Sequence, residues 1–265
     1  MAANTDRVIP AFTKPNIIQL MNSFKILIGT FPLILLSGCS NPADDVPAAA
    51  VGKAANSVTN AAPASAAGGR YFVFETNSST IQFIGSKVTG SHNGGFKHFA
   101  GELKVLDGRL ADSGNRIVID INSTWADNDR LTGHLKSPDF FDAARYPAAT
   151  FVSTTIRPAG DGATVTGDLT LHGVTKSISF PAKIQVSEAG VQVTAEFFLN
   201  RLDFEIKYPG KANDLIRKEV VLKFNINATP GRANFASVET AAQAAAASGQ
   251  ATTQPAGGQR PQPGR

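Results

Sequence analysis

Residues 129–176 read DRLTGHLKSPDFFDAARYPAATFVSTTIRPAGDGATVTGDLTLHGVTK. Ser137-Pro138 predicts the start of a short helical turn, because Ser accepts an orphan backbone donor and Pro presets φ. Phe140 and Phe141 follow, too apolar for a free surface loop, and Tyr146-Pro147 stops the turn. A strand is expected from Ala149. Beyond the Gly160-Asp161-Gly162 turn the period is two. Val165, Gly167, Leu169 and Leu171 share one face, and Thr164, Thr166, Asp168 and Thr170 share the other.

The same alternation extends downstream. Ile178, Phe180, Ala182, Ile184 and Val186 form one apolar row; Val191, Val193, Ala195, Phe197 and Leu199 form a second; Val220, Leu222, Phe224 and Ile226 form a third. Upstream, strands are expected at 71–76, 80–88, 96–106 and 116–123, with Asn77-Ser78-Ser79 as a link. His92-Asn93-Gly94-Gly95 is expected as a turn, since Asn-Gly favours positive φ. One polar and one apolar face per strand suits a single sheet closed on itself. The expected fold is all-β: an antiparallel barrel of about eight strands with a short helical insert near 129–144.

Two pieces, HLKSPDFFDAARYPAATF and GDLTLHGVTK, resemble the YceI-like family of bacterial polyisoprenoid-binding proteins. The resemblance covers residues 70–230. It implies a lipocalin-like barrel that holds an isoprenoid lipid inside.

Composition leaves room for one domain. Residues 70–230 carry nearly all the periodic apolar sequence, and a barrel of this size buries a core without disulfides. The chain has a formal charge of +4, yet residues 70–230 hold 18 basic and 17 acidic side chains. With no basic stripe and no nucleic-acid motif, nucleic acid is not an expected partner. Residues 40–69, rich in Ala, Pro, Ser and Gly, read as a disordered linker. Residues 231–265 read as a disordered tail, with a transient helix at 241–247.

The single cysteine, Cys39, ends the run Leu36-Ser37-Gly38-Cys39. Lys25, a short apolar stretch at 26–36 and small residues before the cut describe a secretory signal peptide over residues 1–39. The run is too short to span a bilayer comfortably. LSGC resembles the lipobox of bacterial lipoproteins, which implies cleavage before Cys39 and a diacylglycerol on its sulfur. Met21 gives ordinary lipoprotein proportions and is the expected start. Ser40 rather than Asp after the cysteine implies, by resemblance to enterobacterial sorting, the periplasmic face of the outer membrane.

The 17 Phe against three Tyr and one Trp suit a greasy ligand, though a packed core uses Phe equally well. Candidate ligand contacts on inward faces are Phe83, Phe151, Leu169, Phe180, Phe197 and Phe224. Leu135, Phe140 and Phe141 on the insert are expected to close one mouth. If the strand through Leu199 continues, Arg201 and Asp203 stay on the inward face, either paired with each other or with Arg201 holding a lipid head group. The family's pattern here is Arg followed by Asp-Phe-Gly; this chain has Glu205 in place of the Gly.

The four histidines, 92, 98, 134 and 172, show no metal-ligand spacing. GxSxG, a catalytic thiol and a P-loop are absent from the sequence. The reading is therefore a membrane-tethered carrier of a long isoprenoid, without metal or cofactor and not an enzyme. An enzyme acting on an isoprenoid or quinone, and a stress-response lipoprotein with a filled barrel, are the alternatives. Expected partners are the isoprenoid and the membrane through acylated Cys39, with a homodimer left open.

Overall fold

The computed structural model describes residues 41–54 and 68–251. The expected signal peptide, Cys39, much of the linker and the end of the tail lie outside the described residues.

The described chain forms β1 (Ala50–Lys53), β2 (Arg70–Glu75), β3 (Thr80–Lys87), β4 (Gly90–Phe96), β5 (Phe99–Leu106), β6 (Arg109–Leu110), β7 (Arg116–Asp120) and β8 (Thr124–Ala126). Then come α1 (Asp129–Lys136), β9 (Ala148–Ala159), β10 (Gly162–Leu171), β11 (Val174–Val186), β12 (Val191–Asn200), β13 (Gly210–Lys211), β14 (Asp214–Pro230) and α2 (Phe235–Ala251).

The strands close into an antiparallel up-and-down barrel. β2 and β3 are two halves of one bent strand: β14 pairs with β2 through Thr229↔Val73 and with β3 through Asn225↔Thr80. β5 and β4 are likewise halves of the next strand, and β7 and β8 of the third. β9, β10, β11, β12 and β14 complete eight staves, and the β14–β2 pairing seals the ring.

Three sequence expectations are corrected. His92-Asn93-Gly94-Gly95 is not a turn; it lies inside β4, and the chain reverses at Val88-Thr89. The glycines serve close approach. A Cβ on Gly94 would stand 2.3 Å from the Phe83 ring, and one on Gly95 2.7 Å from the Ile81 carbonyl oxygen. Ser137 opens the expected turn, its carbonyl accepting from Phe140 N at 3.1 Å, but the helix itself lies before it: Ser137 N–H donates to the His134 carbonyl at the end of α1, while Asn128 caps the start by accepting from Leu131 N at 3.0 Å. The flanks, read as disordered, contribute β1 and α2.

Both flanking elements pack on the barrel. β11 and β12 pair only over 183–186 and 191–194, then diverge. β1 fills the opening, antiparallel to β11 (Ala50↔Ser179 to Lys53↔Lys176), and Ala48 just before it bridges Phe198 of β12 in parallel. α2 lies on the outer face of β5 and β7, where Val238 packs against Ala100 and Val118. Arg116 pairs with Glu239 at 2.7 Å and stacks over Phe235 at 4.5 Å.

Inward alternation builds two unlike ends. At the end of Phe72, Phe74, Phe99, Leu103, Val105, Val191, Ile226 and Ala228 the interior is packed solid. Across the middle runs an aromatic layer: Phe180 stacks on Phe197 at 4.2 Å, and Phe224 meets both edge-on. Beyond that layer the barrel is hollow.

Candidate functional site

The hollow end holds a cavity of about 160 Å³, within about 1220 Å³ of atom-free space that includes its opening to solvent. An enclosed apolar cavity of about this size takes up apolar guests. Its floor is Phe180 and Phe224. Its walls include Phe83, Phe96, Ile117, Phe151, Leu169 and Leu222. Phe151 fits because Gly167, diagonal to it on β10, carries no Cβ; one there would stand 2.4 Å from the Phe151 ring.

The cover comes from α1 and the turn after it. Leu135, Phe140 and Phe141 all line the cavity. Phe141 sits 6.2 Å from Phe83 and 6.1 Å from Phe96, ring centre to ring centre. Phe140 meets Tyr208 at 5.3 Å, and His134 packs edge-on against both rings while bonding Asp139 through Nε2 at 2.9 Å. That aromatic group ties the α1 turn to the 201–210 segment.

Two arginines, Arg201 and Arg217, also line the cavity, but the surface it presents is almost entirely carbon. The strand does not run through Arg201 as expected. Asn200 Oδ1 accepts from Leu202 N at 3.1 Å and starts a 3-10 turn over Arg201–Phe204. Arg201 is buried and bonds three carbonyls: Nε to Arg217 O at 3.0 Å, Nη2 to Ile216 O at 3.3 Å, and Nη1 to Ile206 O. No ion pair joins it to Asp203, so the expected Arg201–Asp203 pair is corrected to an arginine clamped on backbone. Burial pushes the Arg201 guanidinium below its ordinary pKa; arginine nonetheless keeps its charge at neutral pH. The Arg217 Nε is buried and meets no acceptor. Glu205, where the family pattern has Gly, takes φ 60° in the left-handed region that Gly adopts without strain.

Of the eleven expected ligand contacts, nine line this one cavity: Phe83, Leu135, Phe140, Phe141, Phe151, Leu169, Phe180, Arg201 and Phe224. Phe197 lies behind Phe180, fully buried, and Asp203 is off the lining. Arg217 was missed. Three of the four histidines sit beside carboxylates, His92 with Asp127, His98 with Asp120 and His134 with Asp139, while His172 Nδ1 bonds the Phe204 carbonyl at 3.1 Å. Among the described residues, no three His, Cys, Asp or Glu side chains converge as a metal site.

A family model described as YceI-like domain matches residues 72–228. The chain belongs to the YceI-like family. A YceI-like relative from Pseudomonas putida, named UPF0312 protein, is 35% identical over 142 residues, covering 48% of this chain and 73% of its own. The crystal structure of Burkholderia cenocepacia BcnA is 26% identical with a TM-score of 0.54, over 59% of this chain and 99% of that one. A polyisoprenoid binding domain from Saccharophagus degradans, implicated in plant cell wall breakdown, shares the fold at 20% identity and a TM-score of 0.50. It aligns with 62% of this chain and 100% of its own. The YceI-like match stops short of β1 and α2.

Proposed function

We propose that the chain is a membrane-tethered periplasmic lipid carrier that takes a long isoprenoid, polyprenyl or quinone-type, into the hollow end of its barrel for transport or sequestration. The observation that carries the reading is a cavity walled by Phe, Leu and Ile whose surface is almost entirely carbon, with Arg201 and Arg217 at its margin. The polyisoprenoid binding domain from Saccharophagus degradans supports the ligand class. Each methylene-sized group moved out of water contributes about 0.8 kcal/mol, so a few isoprene units outweigh a single hydrogen bond of about 1 kcal/mol. The tail supplies affinity and the head group supplies orientation. Arg217, with an unused buried donor, is the group offered to a phosphate or carbonyl oxygen. Cys39 carries the diacylglycerol anchor, and the chain binds its lipid without transforming it.

The test is mass spectrometry of lipids extracted from the purified protein without detergent exchange. Recovery of a polyprenyl or quinone-type lipid is expected; an extract holding only ordinary phospholipid, or none, sinks the reading. Arg217→Gln should lower lipid recovery with little loss of stability. Arg201→Gln should instead cost about 1–3 kcal/mol, because it strips donors from buried carbonyls. Turnover of an isoprenoid or quinone by the purified protein would replace the carrier with an enzyme. Cys39→Ala should leave the protein unacylated and released from membranes.

A further inference from the structure

The described chain begins at Asn41, two residues after Cys39. It does not begin as a free leash. Asn41 Oδ1 accepts a hydrogen bond from Ser86 Oγ at 3.4 Å, and Ala43 is buried. Residues 41–47 then cross the outside of β14 to reach β12, where the Pro47 carbonyl accepts from Phe198 N at 3.0 Å. Ile84, Val221 and Phe198 lie side by side in register beneath that crossing. Val221 points outward by alternation with its cavity-lining neighbours Val220 and Leu222, yet is only 2% exposed. Ser86 is two residues from Val88 in the turn between β3 and β4, at the rim of the hollow end. Two residues of extended chain reach about 7 Å, so an acyl anchor two residues before Asn41 would fall within that reach of the hollow-end rim.

That rim is also where apolar side chains face solvent. Val88 is 53% exposed, Leu215 50% and Leu202 38%, three of the five large hydrophobics exposed among the described residues. Val88 N donates to Leu215 O at 3.2 Å, which sets two of them side by side. Two of them adjoin the cavity: Leu202 follows Arg201, and Leu215 precedes Ile216 and Arg217. Lys207, Lys211 and Lys218 stand exposed on the same segments. Lys207 and Lys218 lie beside Glu205 and Glu219, so the rim is mixed in charge, and its exposed apolar side chains with lysines among them suit a surface that dips into acyl chains while its cations meet lipid phosphates.

We propose that the hollow end docks on a phospholipid bilayer, with Val88, Leu202 and Leu215 among the acyl chains and the leash from Cys39 holding the cavity toward the membrane. An isoprenoid then passes between bilayer and barrel without crossing water. The proposal rests on the carrier reading and on acylation of Cys39.

Val88→Cys, Leu215→Cys and, at the packed end, Leu106→Cys are prepared in the full mature acylated protein, whose native thiol is blocked. Each is labelled with a nitrobenzoxadiazole dye and mixed with vesicles of phosphatidylethanolamine and phosphatidylglycerol. Emission should rise about twofold or more and shift to the blue at the two rim sites, as for a dye entering acyl chains, and stay unchanged at the packed-end site. An equal response at both ends, or a response at the packed end alone, overturns the proposal. So does a rim response that appears without vesicles and grows with protein concentration, which would put a second copy of the chain on the rim. Intact mass is read on the same sample, and absence of the diacylglycerol mass overturns the leash and with it the proposal. A rim response from acylated protein that yields no isoprenoid on extraction overturns the carrier reading alone and leaves the docking in place.

Discussion

The two ends of this barrel are built from the same alternating strands and have opposite interiors. At the packed end β11 pairs with β12, β12 with β14 and β14 with β2, and Phe72, Phe74, Phe99 and Leu103 fill the bore. Gly101 is part of the fit, since a Cβ there would stand 2.0 Å from the Phe74 ring. At the hollow end the wall opens along two seams. One lies between β11 and β12, where β1 is inserted; the other lies beyond the β7–β9 pairing, where α1 and its turn take over from strand. Barrel diameter grows with the number of staves. A wall with an added strand and a helical cover encloses more space than Phe side chains of unchanged size can fill. The cavity is thus a property of the seams as much as of the lining.

The comparison can be broken first at the packed end. Phe74→Ala should cost about 3–5 kcal/mol in urea unfolding, as expected for a large side chain lost from a full core. A cost under about 1 kcal/mol would mean that this end is hollow too. Removing residues 41–53 reopens the seam beside β12. We expect a loss of about 2–3 kcal/mol, which lowers the thermal midpoint by about 4–12 °C in calorimetry, together with loss of retained lipid. An unchanged midpoint would reduce β1 to an ornament on the wall. Leu169→Ala, in the half-buried cavity wall, should cost only about 1–2 kcal/mol, because the side chain already borders empty space. Its lipid recovery should fall further than its stability, and a cost equal to that of Phe74→Ala would erase the contrast between the ends.

The smallest effect is one of pH at the rim. A hydrogen bond from Lys87, joined by Thr89, holds the Asp214 carboxyl below its ordinary 3.8. A lowered folded value contributes stability that is present above the unfolded value of about 3.9 and is lost as pH falls through the folded one. Unfolding midpoints measured from pH 5 down to pH 2 should therefore drop slightly more for the native chain than for Asp214→Asn. Identical pH profiles would remove the Lys87 contact from the account of the rim.

How much of this was legible in the sequence follows from where each signal resides. The later staves were plain, because a half-buried strand writes its two faces directly into a period of two. The apolar lining followed from the same period. Parity failed at Asp203 because an N-cap Asn ends the strand, and Asn200 was a readable sign of it. Arg217 was missed because β14 slips register between Ile216 and Val220, so alternation starts cleanly only at Val220. The glycines of β4 imitated a turn, since Asn-Gly carries that meaning when no ring is known to press on the backbone. β1 has a single large apolar residue, Val51, and its reason to be a strand is a gap that exists only after the barrel has formed. α2 is similar: an alanine-rich run becomes an ordered helix because Ala100 and Val118 present it with a surface.

The ring is sealed where Val73 meets Thr229. Seven of the eight joints link staves that follow one another along the chain, and each can form as soon as its own two strands exist. The eighth must wait for the last strand to find the first across nearly the whole domain, and contacts of that separation are the slow ones in folding. Until then β2 and β3 present an unpaired edge, a template for pairing with another chain. This protein is most exposed to aggregation in the interval between completing β12 and delivering β14, and a variant that slows the arrival of residues 214–230 should show its defect in yield before it shows any in the stability of the finished barrel.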